Sequence, residues 1–225
     1  MTWTSAFGHA CGWLLRRIVH GLALTRISPN ALTFFGLVIN AGAAVLFGLA
    51  GPENQARMFR WAAVTIIGAG IFDMVDGRVA RATNQVTQFG AFFDSVIDRY
   101  SDLALFFGLL VYYARAGRFF YIVLVAVVMT GSVMVSYTRA RAESLIGTCK
   151  VGFMERPERI VLVIIGALFN RMAPVLWVVA VLSNVTVVHR IFYTYLQTRK
   201  VDRVLREIPQ KAKREPFPAP AARLR

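Results

Sequence analysis

Cysteine and histidine are scarce in this chain, and the few present do not cluster. Cys11 and Cys149 are far apart and have no ligand spacing, so they read as free thiols in a reducing compartment. His9, His20 and His189 are equally scattered, which leaves no thiolate or imidazole group to hold a metal. Charge is also low, at 17% of 225 residues against 56% hydrophobic. With a mean hydropathy of +0.53, that excludes an ordinary soluble domain and points to a one-domain membrane protein. A secretory signal pattern is missing as well, because Arg16, Arg17 and His20 interrupt the apolar run near the start, so no cleavage is expected. No internal repeat is evident.

The charge that is present has one dominant sign. Lys and Arg number 26 against 12 Asp and Glu, for a net charge of +14. Nucleic acid is the first partner such a balance suggests. The basic residues, however, flank apolar stretches and do not form one face, so anionic membrane lipids are the better partner.

The expected fold is an all-α integral membrane protein with six transmembrane helices, preceded by an interfacial amphipathic helix. Trp3, Phe7, Trp13, Leu14, Ile18 and Leu22 recur at helical spacing within residues 1–28. Ser28-Pro29-Asn30 then offers a cap and a first-turn proline. Six spans follow at about 31–50, 59–81, 90–114, 119–142, 157–169 and 173–196. The membrane domain is bounded at 29–198, and a basic tail, 199–225, is expected to be a short amphipathic helix followed by disordered chain. Six spans put both termini on one side, with 20 Lys and Arg there against five opposite and Arg99 within a span. That excess assigns both termini and the 78–89 link to the cytoplasm of a multi-pass cell-membrane protein.

One stretch breaks the rule that a bilayer excludes charge. Residues 73–98 read DMVDGRVARATNQVTQFGAFFDSVID, with apolar runs on both sides. Asp73 and Asp76 are three apart, Asp94 and Asp98 four apart, so each pair projects from one face of its helix and the two faces can converge. Carboxylates so close need protons or cations to compensate them. With oxygen ligands alone the cation is hard: Mg²⁺, with Mn²⁺ or Ca²⁺ as alternatives. Gly77, Ala80 and Gly90 are small enough to let a ligand approach, and Arg81 can grip a phosphate. Charges in membrane helices can also be plain ion pairs or line an ion pathway, which leaves an ion-coupled carrier as the alternative class. An ion pathway requires neither the glycines nor the arginine at these spacings.

Asp73-x2-Asp76-Gly77-x2-Ala80-Arg81-x8-Gly90-x3-Asp94-x3-Asp98 resembles, at every position, the signature of the CDP-alcohol phosphotransferase family. The resemblance implies an integral membrane enzyme, typically a homodimer, that transfers a phosphatidyl group from a CDP-linked lipid such as CDP-diacylglycerol to an alcohol and releases CMP. It implies two divalent ions held by Asp73, Asp76, Asp94 and Asp98, with Asp98 also the base that takes the acceptor's proton. It further implies that Gly77, Arg81 and Thr87 meet the nucleotide and diphosphate, together with Ala80 and Gly90, and that Asn30 and Thr33 help hold the CDP group. Asp102, one turn beyond Asp98, reads as a structural residue, a partner for Arg99 or a support behind the ligands.

Outside the motif stands a cationic set: Arg139 and Arg141, Arg156 and Arg159, and Arg190. For any one of them, flanking of a span is explanation enough. SYTRARAES followed by ERPERIVLV nevertheless resembles the branch of the family that uses inositol phosphate, in which three basic residues hold the acceptor's phosphate. By position these are Arg139, Arg159 and Arg190, the first being Arg where that branch often has Lys. A phosphorylated polyol needs such a pocket, and glycerol 3-phosphate is the alternative acceptor.

Overall fold

Ser28 starts the first helix as its sequence predicts, the hydroxyl accepting from the Ala31 N–H at 3.3 Å with Pro29 in the first turn. In the computed structural model, which describes residues 28–82 and 85–214, six helices follow. They are α1 (Pro29–Leu49), α2 (Gln55–Ala82), α3 (Gln88–Arg115), α4 (Phe119–Ile146), α5 (Arg156–Leu168) and α6 (Met172–Arg214), and no strand occurs among the described residues. The expected N-terminal amphipathic helix lies outside the described residues, as do the last residues of the tail.

Helix ends follow local chemistry. Thr87 caps α3 by accepting from the Gly90 N–H at 2.9 Å. Gly147, at φ +79°, ends α4 and donates to the Glu143 carbonyl, so SYTRARAES stays helical past the predicted 142. Glu155 and Glu158 form a reciprocal capping box at the start of α5. The sixth span and the tail helix, expected as separate elements, are one helix. Between Pro174 and Pro209 no glycine or proline interrupts it.

α1 packs against both α2 and α3; α3 packs on α4, α4 on α6, α2 on α5 and α5 on α6. The apolar core lies in the half of the bundle made by Phe47, Phe59, Leu109, Val125, Val163 and Leu176, one from each helix. Phe59 sits edge-on to both Phe47 and Tyr112, with centroids 5.0 and 5.1 Å apart. Because successive helices alternate in direction, the starts of α1, α3 and α5 and the ends of α2 and α4 meet at the opposite end. That end carries the polar residues.

Among the described residues four helices are long and apolar enough to cross a membrane: α1, α2 through Arg81, α4, and α6 through Val201. Their outward faces expose Phe34, Trp61, Val64, Phe120, Val181 and Phe192, a surface suited to lipid. The chain is thus a multi-pass membrane protein. Two of the six expected spans do not qualify by length and composition. α3 carries Asp94, Asp98, Arg99 and Asp102 in one half, and the 13 residues of α5 reach only about 20 Å of a hydrocarbon core about 30 Å thick.

The crossing of α3 on α1 depends on glycine. A Cβ at Gly108 of α3 would lie 2.3 Å from the Ala44 carbonyl oxygen and 2.7 Å from its Cα, both backbone atoms of α1. Gly108→Val is therefore expected to destabilise the protein by at least about 3 kcal/mol, the upper range for overpacking, as read by melting in detergent. Gly68→Ala, where nothing lies within 4 Å, serves as the neutral control.

Candidate metal and substrate site

α1 brings the motif together, since α2 and α3 both lie against it. Its face towards them is small and polar where they meet, with Thr33, Gly36 and Asn40 buried. On this support Asp73 of α2 and Asp94 and Asp98 of α3 converge, each offering an oxygen within 4.8 Å of the others. Asp94 and Asp98 share a face by their i,i+4 spacing; Asp73 reaches them only because the helices pack. Asp76 is one turn along α2 from Asp73, and its side chain lies outside what is described. Three carboxylate oxygens so close, with no nitrogen or sulfur ligand among them, fit a hard divalent ion.

A cation of the chain itself reaches this nest. Arg156, in the first turn of α5, places Nη1 2.8 Å from Asp98 Oδ1 and 3.1 Å from Asp73 Oδ2, with Nε 3.5 Å from Asp102 Oδ1. The predicted site residues do not include it. ERPER puts two arginines three apart on one helical face, but only the packing of α5 on α2 shows that the first of them points at the aspartates.

The nest separates two cavities. One, of about 150 Å³, lies between the start of α1, the end of α2 and the start of α3. Asn30, Thr33, Gly77, Ala80, Arg81, Thr87 and Gly90 all line it. Thr87 does so while capping α3, and a Cβ on Gly90 would come 3.0 Å from Thr87 Oγ1 and 3.4 Å from Asn30 Oδ1. The mouth is narrow at that point, and glycine keeps it open.

The second cavity, of about 510 Å³, has Asp94 and Asp98 on one wall and Arg139, Arg156, Arg159 and Arg190 on the other. Ala91 and Asp94 line both spaces, so Asp94 stands at their junction, with Asp98 on the side of the larger cavity and Asp73 behind them. Arg141 is not among the lining residues; its Nη1 is 3.5 Å from Ser144 Oγ.

The arginines are held in different ways. Arg159, 1% exposed, donates from Nη2 to Asp102, itself 3% exposed, while its Nε and Nη1 are buried without a hydrogen-bond partner. Asp102 also accepts from Ser132 Oγ at 3.3 Å. Arg99, the expected partner of Asp102, instead turns back to Ser95, because an i−4 hydroxyl and carbonyl lie within its reach on its own helix. Arg190 is fixed by two carbonyls, Nη1 to Val135 at 2.6 Å and Nε to Val151 at 2.8 Å. The backbone comes this close because Gly152, at φ +103°, has no Cβ; one would meet Thr186 Cγ2 at 2.4 Å. Glu155 Oε1 bridges Arg139 at 2.9 Å and Arg190 at 2.8 Å. Neither Glu155 nor Ser132 carried a signal in the sequence, as both act through partners brought by other helices.

A sequence model of the family described as CDP-alcohol phosphatidyltransferase matches residues 26–197, spanning the helices that build both cavities. The chain belongs to this family. Among curated phosphatidyltransferase relatives, the archaetidylinositol phosphate synthase of Pyrococcus horikoshii is 40% identical over 180 residues, 79% of this chain and 89% of the relative. Among solved structures, the Mycobacterium tuberculosis phosphatidylinositol phosphate synthase with CDP-DAG bound superposes with a TM-score of 0.72 at 29% identity, over 80% of this chain and 93% of that one. The same M. tuberculosis enzyme in complex with manganese and citrate gives 0.70 at 29% identity, covering 80% and 88%.

Proposed function

We propose that this chain transfers a phosphatidyl group from CDP-diacylglycerol to a hydroxyl of inositol phosphate, giving phosphatidylinositol phosphate and CMP. The observation that carries the reading is the carboxylate nest at the junction of two cavities, one open between small residues and one walled by arginines. The names of the relatives support the same acceptor class. Asp73, Asp76, Asp94 and Asp98 would hold divalent ions, which when bound offset charge on the attacking and leaving oxygens.

Gly77, Ala80 and Gly90 admit the diphosphate of the CDP-lipid close to α2 and α3, Arg81 and Thr87 contact it, and Asn30 and Thr33 position the nucleotide end. Arg139, Arg159 and Arg190 take the acceptor's phosphate from the other side. Such positioning brings the hydroxyl in line with the lipid-bearing phosphorus. Asp98 accepts the hydroxyl proton as the new O–P bond forms, and the P–O bond to CMP breaks.

In this reading α3 and α5 also cross the bilayer. The first turn of α5 lines the larger cavity, so the helix would span only the depth beyond it. The Lys and Arg excess orients the site and both termini to the cytoplasm of the cell membrane, residues 29–198 forming the membrane domain. The protein acts as a homodimer among anionic lipids.

The purified protein in detergent, given CDP-diacylglycerol and Mg²⁺, is expected to release CMP with inositol phosphate and far more slowly with inositol or serine. EDTA should lower the rate about 100-fold or more. Undiminished release in chelator refutes the role of the nest. Preference for glycerol 3-phosphate reassigns the acceptor, and a requirement for a sealed membrane favours the carrier.

A further inference from the structure

We propose that Arg156 is the internal counter-cation of the aspartate nest. It competes with the divalent ion for Asp73 and Asp98 and, when displaced, adds a fourth cationic contact to the acceptor's phosphate. The inference rests on the function proposed above and adds a residue to it.

Geometry sets up the competition. Arg156 Nη1 contacts two of the three carboxylates that converge within 4.8 Å, at 2.8 Å from Asp98 and 3.1 Å from Asp73. A divalent ion bound by the same carboxylates would sit about 2.0–2.6 Å from their oxygens. Guanidinium and ion would then crowd the same carboxylates and repel each other across a partly buried site, so each weakens the other's hold.

Arg156 is the arginine built to leave. Arg159 and Arg190 are each 1% exposed, the first locked to Asp102 and the second to two backbone carbonyls. Among the described residues Arg156 has no carbonyl partner; every polar contact it makes there is to a carboxylate, and its buried Nε lacks a hydrogen bond. Its side chain is 26% exposed, so it has room on the cavity side. It also stands where the two halves of the site meet, in the wall it shares with Arg139, Arg159 and Arg190, next in sequence to the Glu155 that bridges two of them.

The device answers a physical need. Clustered carboxylates in a low-dielectric setting are costly unless compensated, and an internal cation compensates them between turnovers. The same cation lowers apparent ion affinity, and its release where the acceptor's phosphate docks couples ion loading to acceptor binding.

Full-length wild type and Arg156→Gln, in detergent without substrates, are titrated with Mn²⁺ and the free ion is read by electron paramagnetic resonance. The variant is expected to bind Mn²⁺ about tenfold more tightly, the reverse of what loss of a merely structural residue produces. Its KM for inositol phosphate should rise about tenfold while that for CDP-diacylglycerol stays unchanged. Arg156→Lys, which keeps a charge for the nest, should bind Mn²⁺ with intermediate affinity and recover part of the acceptor KM. Equal or weaker Mn²⁺ binding by either variant overturns the competition while leaving the proposed function intact. Failure of wild type and both variants to bind Mn²⁺ removes the metal reading and this inference together.

Discussion

Asp98→Asn is expected to lower CMP release by about a thousandfold at saturating Mg²⁺ while the protein still folds, because the substitution removes a base without removing volume. Asp98 lies on the cavity wall facing the arginines, and it is one of the three carboxylates that converge. In the proposed function this is where the incoming hydroxyl would meet the donor's phosphorus. A hydroxyl is a weak nucleophile, and general-base assistance contributes about 10²–10⁴-fold, with impaired ion binding adding to the loss. Folding should not suffer: the amide relieves the crowding by Asp73 and Asp94, and Arg156, which loses its ion pair with Asp98, keeps Asp73 and Asp102. The measurement is CMP release beside a melting curve taken in chelator. Turnover within tenfold of wild type would remove Asp98 as the base, whereas a collapsed melting curve would make it a structural residue.

Arg159→Met carries the second large effect, and it falls on two observables at once. Removing the guanidinium leaves Asp102, 3% exposed, as a buried carboxylate deprived of its main partner. Breaking a buried pair in this way costs about 3–5 kcal/mol, because the remaining charge is desolvated without compensation. The acceptor loses an arginine whose buried Nε and Nη1 have no hydrogen-bond partner among the described residues, so its KM should rise about 100-fold. The KM for CDP-diacylglycerol should barely move, since the smaller cavity is built by other helices. The double variant Arg159→Met/Asp102→Leu separates the effects: replacing both partners with apolar groups should restore at least half of the lost stability and none of the acceptor binding. Equal weakening of acceptor and CDP-lipid by Arg159→Met would contradict an acceptor pocket.

Local features were legible because they depend on neighbours in the chain. The Ser28 cap and the i,i+4 pair Asp94 and Asp98 follow from helical periodicity over a single turn. The seven residues that the family resemblance pointed to, from Asn30 to Gly90, line one cavity. Less legible were elements defined by their surroundings. α3 and α5 read as spans beside the others, yet the charges of one and the 13 residues of the other set them apart. Asp102 was expected as a partner for Arg99 or a support behind the ligands; it is paired with Arg159 from another helix and lies 3.5 Å from Arg156 Nε.

The order of residues by itself determined that the chain is helical and apolar, where several of its helices begin, and that acidic groups stand at one end of them. Hydropathy, capping and i,i+4 spacing act over a few residues, so they can be read along a line. Which arginine meets which carboxylate was decided only in three dimensions. Arg156 lies on Asp73 and Asp98, and Glu155 ties Arg139 to Arg190, because α5 is wedged between α2 and α6. Ion pairs between separate helices depend on packing, and packing is a property of the whole bundle that no single stretch encodes.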